Sequence, residues 1–137
     1  MSDELWRKGA LELAGLIKAR QVSSREVVEA HLRRLATDEL PTRCRALAAT
    51  RGLAPTRISV RDQRSRWGAC SGRGAITLNW RLIQMPAEVA DYVMWHELAH
   101  LTHPNHSGRF WRHVAAVCPD FETAEKWLKQ NRALLRQ

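Results

Sequence analysis

Residues 96–106 read His-Glu-Leu-Ala-His-Leu-Thr-His-Pro-Asn-His, and this run constrains the fold more than any other stretch of the chain. Its first five residues have the spacing H-E-x-x-H. On a helix, His96 and His100 lie one turn apart on the same face, so two imidazoles can grip one metal ion with Glu97 beside them. Pro104 stops that helix, because its ring removes a backbone donor and clashes with the preceding turn. The chain must therefore carry a helix into His100, end it and turn back. Five of the six histidines fall between positions 96 and 113, which favours a metal site over scattered core histidines.

A catalytic zinc site uses three protein ligands and keeps one position open. The third ligand has several candidates. His103 would share the helical stripe, but it stands roughly 10 Å along the axis from His96, too far for three side chains to meet one ion. His103 is better suited to supporting a ligand or closing the helix C-terminus, where an imidazole complements the dipole. His106 follows the Pro104 break and can be folded back. Glu122 or Glu125 would make a glutamate-type site. The chain reversal favours His106. Three histidines around one Zn2+ leave room for water, which the ion acidifies while it polarises a carbonyl. Glu97 can take the water's proton as general base and return it to a leaving amine. A purely structural metal site has no use for Glu97, so this residue separates a hydrolase from a metal-stabilised module.

The rest of the chain reads as one modest domain: 137 residues, 45% hydrophobic and 26% charged. Residues 4–20 read as a helix. Ser23 and Glu26 offer a capping box for a second helix that buries Val27, Val28, His31, Leu32 and Leu35. Thr37 or Asp38 can cap a third, carrying Leu40, Cys44 and Leu47, which Gly52 and Pro55 end. Residues 57–61 and 75–80 alternate as two strands of an antiparallel hairpin, with Ser71 to Gly74 as a turn. Pro86 opens the helix that carries His96. Ser107 and Asp120 cap two further helices. The expected organisation is an N-terminal helical segment, 1–36, before a main domain, 37–137.

Ser65-Arg66-Trp67-Gly68-Ala69-Cys70-Ser71, Ile76-Thr77-Leu78-Asn79-Trp80-Arg81-Leu82, His96-Glu97-Leu98-Ala99-His100-Leu101, Asn105-His106-Ser107 and Phe110-Trp111 occur in that order. Together with Pro119-Asp120 and Lys126-Trp127-Leu128, they resemble the YgjP-like metallopeptidases, which belong with the SprT-like zincins, over about residues 40–137. The resemblance implies an α+β fold, a minimal zincin with a small antiparallel sheet packed on the H-E-x-x-H helix. It also implies zinc held by three histidines, with the third at His106 and the base at Glu97. The front end departs from the strand-rich start usual in that family. Residues 10–35 instead resemble, over a short stretch, the opening helices of amidase-signature enzymes, and no amidase catalytic residue carries over.

Arg66, Asn79 and Tyr92 are candidates for the cleft wall or for substrate contact, Tyr92 because it lies one turn before His96. The net charge of +8 and the arginines at 57, 61, 64, 66 and 73 suit contact with DNA or nucleotides beside the expected peptide substrate. Two alternatives follow: a metal-dependent nucleotide phosphohydrolase, and a non-catalytic metal-stabilised nucleic-acid-binding module. No apolar run approaches the ~20 residues of a membrane span. The acidic start does not resemble a signal peptide. Three widely spaced cysteines suit reduced thiols in the cytoplasm.

Overall fold

The computed structural model describes residues 23–136, together with Gly9 and Gly15. The helix expected over residues 4–20 otherwise lies outside the described residues. Among those described, helix α1 spans Ser24–Thr50. Strands β1, β2 and β3 span Arg57–Arg61, Gly68–Cys70 and Ala75–Asn79. Helices α2, α3 and α4 span Ala87–Ala99, Gly108–Val117 and Phe121–Gln130. Short 3-10 turns follow β3 at Trp80–Gln84 and α4 at Arg132–Arg136. The architecture is α+β.

The Ser23 Oγ accepts from the Glu26 N–H at 3.1 Å and starts α1 as expected. The helix then runs unbroken across the 36–37 junction and through Pro41. No third helix begins at Thr37 or Asp38, because both residues spend their polar groups inside α1. Thr37 Oγ1 donates to the Arg33 carbonyl at 2.9 Å, and Asp38 pairs with Arg34 one turn earlier. Pro41 cannot donate to the Thr37 carbonyl, but Thr37 is exposed and water can take that bond. The buried face also differs from the expected stripe. Val28 and Leu35 are 56% and 43% exposed, and His31 is exposed. Ala30, Ala36, Leu40, Cys44 and Ala48 face the core instead. Their small side chains let α1 lie close against β1 and the 80–84 turn.

The sheet corrects the antiparallel hairpin. Strand order is β1-β3-β2, with β1 parallel to β3 and β2 antiparallel to it. The reason lies in the turn at Ser71–Gly74. It is closed by Gly74 N–H to Ser71 O at 3.0 Å, with Gly74 at φ +82, so it joins β3 to the residues immediately before it. That makes β2 the hairpin partner and leaves the other side of β3 to β1. Ile58, Ile76 and Leu78 point into the core, in a register that pairs Ile58 with Ile76. β2 forms an edge of the sheet.

A fully buried cation fixes the loop between β1 and β2. Arg81 donates to Asp62 Oδ1 at 2.7 Å and to the Gln63 carbonyl at 3.3 Å. Asn79 Nδ2 donates to the Gln63 and Arg66 carbonyls at 2.8 and 3.0 Å, and the Asn79 N–H donates to Trp67 O at 2.9 Å. Residues 62–67 are thus hung from the end of β3 and led into the edge strand.

Helix α2 is buried on nearly every side, from Val89 to Ala99, as a central helix must be. It ends five residues before Pro104. His100, Leu101 and Thr102 donate to the carbonyls three residues back, tightening the last turn. Ser107 Oγ accepts from the Phe110 N–H at 3.3 Å and starts α3. Asp120 holds the cap position of α4 through its carbonyl, which accepts from Thr123 and Ala124.

Candidate metal centre

His96 and His100 project from the last turn of α2, and His106 comes back to meet them from the segment between Pro104 and Ser107. Their ligand atoms all lie within 4.8 Å of one another. The His96 and His106 Nε2 atoms stand 3.2 Å apart. Two nitrogens bonded to one tetrahedral zinc stand roughly 3.3 Å apart, so the His96–His106 pair has the spacing of two ligands of such an ion, and His100 lies near enough to join them. Aromatic rings hold the imidazoles in place. Phe110, fully buried, stacks on His100 at 4.6 Å between centroids, and Trp111 stacks on His106 at 6.0 Å.

The hydrogen bonds behind two of the imidazoles fix their tautomers. His100 Nδ1 lies 3.0 Å from the His103 carbonyl, which can only accept, so Nδ1 carries the proton and Nε2 is free. Tyr92 donates its O–H to Glu125 Oε1 at 2.8 Å and lies 3.3 Å from His96 Nδ1. With that proton committed to Glu125, Tyr92 accepts from His96 Nδ1–H and again leaves Nε2 free. Burial and the neighbouring imidazoles push His96 down to about 4. It is therefore neutral near pH 7, the form a metal requires. Phenylalanine at position 92 removes this support without changing shape. Tyr92→Phe is expected to weaken metal binding about 10–100-fold, measured by competition against a chelator.

Glu97 lies beside the three histidines and is 7% exposed. Burial pushes its carboxyl up to about 7, against the pull of the Arg66 guanidinium, which makes it a ready proton acceptor near neutrality. Gly68 on β2 provides the space it occupies. A Cβ on residue 68 would stand 3.0 Å from Glu97 Cγ and 3.2 Å from Oε2, with the Thr77 carbonyl behind it at 3.3 Å. Gly68→Ala therefore crowds the carboxylate, which must give by a few tenths of an ångström. A displacement near 1 Å costs about 100-fold in turnover, so this smaller shift is expected to cost several-fold, with the metal content unchanged when both are measured on the same sample.

The centre sits where two grooves meet. One, about 350 Å³, runs between Arg66–Gly68 and the C-terminal elements, past Val93, Leu128, Lys129 and Arg132. The other, about 480 Å³, follows β2 and its turn from Gly68 to Gly72, facing Leu101 and Pro104. His96, Glu97, Arg66 and Gly68 border both.

Of the expected wall residues, Arg66 lies in the cleft. Asn79 does not: it is fully buried and spends its side chain on the 63–66 loop and on the Arg81 N–H at 3.1 Å. Tyr92 lines the first groove beside His96, with its hydroxyl engaged by His96 and Glu125. His103 supports His100 through its backbone carbonyl, while its ring packs edge-on against His113 at 5.7 Å. Glu125 reaches the site through Tyr92. Asp62 and Arg81, which set the loop carrying Arg66, gave one sequence signal: a lone charge in the otherwise uncharged stretch from Ile76 to Leu82. Burial raises the thiols of Cys44, Cys70 and Cys118 above their ordinary value, Cys44 to about 12. They stay protonated near neutrality and are poor metal ligands beside the three imidazoles.

Comparison with known proteins bears on the fold and the family. The fold is similar to the crystal structure of the metallopeptidase zymogen of Pyrococcus abyssi abylysin. The TM-score is 0.57 at 24% identity, across 65% of this chain and 91% of that one. No curated protein matches the sequence significantly. The family model for the YgjP-like metallopeptidase domain matches residues 3–131. The match therefore begins well before residue 40 and takes in the stretch that resembles amidases. This chain belongs to the YgjP-like metallopeptidase family.

Proposed function

We propose that the chain is a zinc peptidase in which His96, His100 and His106 hold one Zn2+ and Glu97 is the general base. The observation that carries this reading is the convergence of three imidazoles on one point beside a buried carboxyl of raised proton affinity. When bound, the ion supplies a Lewis acid for the scissile carbonyl and acidifies a water molecule. Glu97 accepts that water's proton at its carboxylate and delivers it to the leaving amine. Arg66 sits across the cleft and balances the negative charge that builds beside Glu97. An extended peptide pairs with the exposed backbone of β2, which brings its carbonyl over the histidines.

The nucleotide phosphohydrolase and the DNA-binding module have no comparable support. Arg64, one of the arginines such readings need, is paired with Asp62 at 3.2 Å. No helix among the described residues is long and apolar enough to cross a membrane. The three free cysteines suit work in the reducing cytoplasm.

The test is removal and return of the metal. Chelation should abolish peptide cleavage and one equivalent of zinc should restore it, with His106→Ala failing to recover. Full activity after exhaustive chelation would refute the proposal.

A further inference from the structure

The two grooves that meet at the centre differ in charge. Beyond Arg66, Glu97 and the histidines of the centre, the arm along β2 is walled by Gly68, Ala69, Cys70, Ser71 and Gly72, small and uncharged residues, so the difference rests on what lines the other arm alone. The other arm has an apolar floor of Trp67, Val93, Leu128 and Leu135, with Arg66, Lys129 and Arg132 along it. These three cations outnumber the two carboxyls that line the same arm. Glu125 accepts from Tyr92, and Glu97 belongs to the catalytic centre. Arg66, Lys129 and Arg132 are exposed and make no ion pair among the described residues. The positive character also extends outward. An adjoining hollow shares Ser65, Arg132 and Leu135 with this arm and adds Arg64 and Arg136. Arg64 is partly neutralised by Asp62; Arg136 adds charge at the far end.

From this asymmetry we infer that the arm between Arg66 and Arg132 is a subsite for acidic peptide. It takes Asp or Glu side chains on one side of the scissile bond, while the β2 arm takes small or neutral residues on the other. The inference rests on the peptidase reading for its substrate class. The peptide's backbone and apolar side chains lie on the floor formed by Trp67 and Leu128. Its carboxylates reach the guanidinium and ammonium groups above. Single-stranded nucleic acid would also meet these cations, but a groove that opens directly onto Glu97 and the three histidines favours a chain that presents a scissile amide.

The experiment uses the zinc-loaded full chain and fluorogenic peptides that differ only in Glu or Gln at positions on either side of the cleaved bond. We expect kcat/KM to rise about tenfold for Glu on one side only, the size expected for two or three partly exposed ion contacts, and to fall toward unity at high salt. The double variant Lys129→Glu/Arg132→Glu should invert the Glu-to-Gln ratio. Arg57→Glu, an equal charge change on β1 away from both grooves, should keep it. Equal cleavage of Glu and Gln peptides would overturn the inference. So would a preference that survives the double reversal. Binding of the same peptides to zinc-loaded Glu97→Gln is measured in parallel. If nothing is cleaved by the wild type but Glu peptides bind more tightly and lose that advantage in the Lys129→Glu/Arg132→Glu background, the peptidase reading fails and the acidic subsite stands. If an oligothymidylate binds through Arg132 and the peptides show no charge preference, the subsite belongs to nucleic acid and the inference is wrong.

Discussion

Glu97→Gln should lower peptide turnover by about 100- to 10,000-fold, the range for loss of a positioned general base, and leave the metal in place. The substitution keeps the shape that fits against Gly68 and removes only the ability to accept a proton. His96, His100 and His106 take their orientation from Tyr92, the His103 carbonyl, Phe110 and Trp111, none of which depends on Glu97. Stability should not fall either. Burial already opposes the charged form of this carboxyl, so a neutral amide of the same size suits the cavity at least as well, and the thermal midpoint should hold or rise. Loss of turnover together with loss of metal or of fold would mean that Glu97 is structural.

The second large effect is on stability. Asp62→Asn leaves the guanidinium of Arg81, fully buried, without its carboxylate partner at 2.7 Å. Breaking a buried ion pair by removing one member costs about 3–5 kcal/mol. Asp62 keeps 27% of its side chain in solvent, so the low end, about 3 kcal/mol, is expected in urea unfolding. The pH dependence has a definite sign. Burial works against the charged Asp62 carboxylate, but the hydrogen bond and charge of Arg81, with the charges of Arg33 and Arg64, outweigh it and hold the group below its usual range. A carboxyl depressed on folding adds stability above its unfolded value, about 3.9, and loses it as pH falls through the folded value. The gap between wild type and Asp62→Asn should therefore be constant near neutrality and close in acid below about pH 4. Because Asp62 anchors the loop that carries Arg66, the variant should also lose activity before it unfolds.

These two predictions differ in how visible their residues are in the chain. The metal centre is legible because its chemistry is local. H-E-x-x-H sets two imidazoles by helix geometry, Pro104 forces the reversal, and Ser107 marks where the next helix starts, which leaves His106 in the short segment folded back between them. The sheet is not legible in the same way. Gly68-Ala69-Cys70 is too short and too small-sided to show alternation, so β2 is invisible and its place as partner of β3 falls wrongly to β1. In α1, Thr37 and Asp38 look like caps because their short polar side chains can bond the backbone. The bonds to Arg33 and Arg34 keep them inside the helix instead. Val28 and Leu35 complete an apolar stripe at the right spacing, but the surface α1 packs on admits alanines more closely. The Asp62–Arg81 pair spans 19 positions, and no periodicity links them. Asn79 looks like a wall residue because it faces away from Ile76 and Leu78, yet a loop folds over it and consumes its amide.

The most direct measurement is zinc content and peptide turnover determined on the same preparations of the wild type, Glu97→Gln and His106→Ala. The site described here predicts one zinc per chain in the first two, cleavage only in the first, and neither full zinc nor cleavage in the third. Undiminished cleavage by Glu97→Gln, or full zinc retained by His106→Ala, would contradict it.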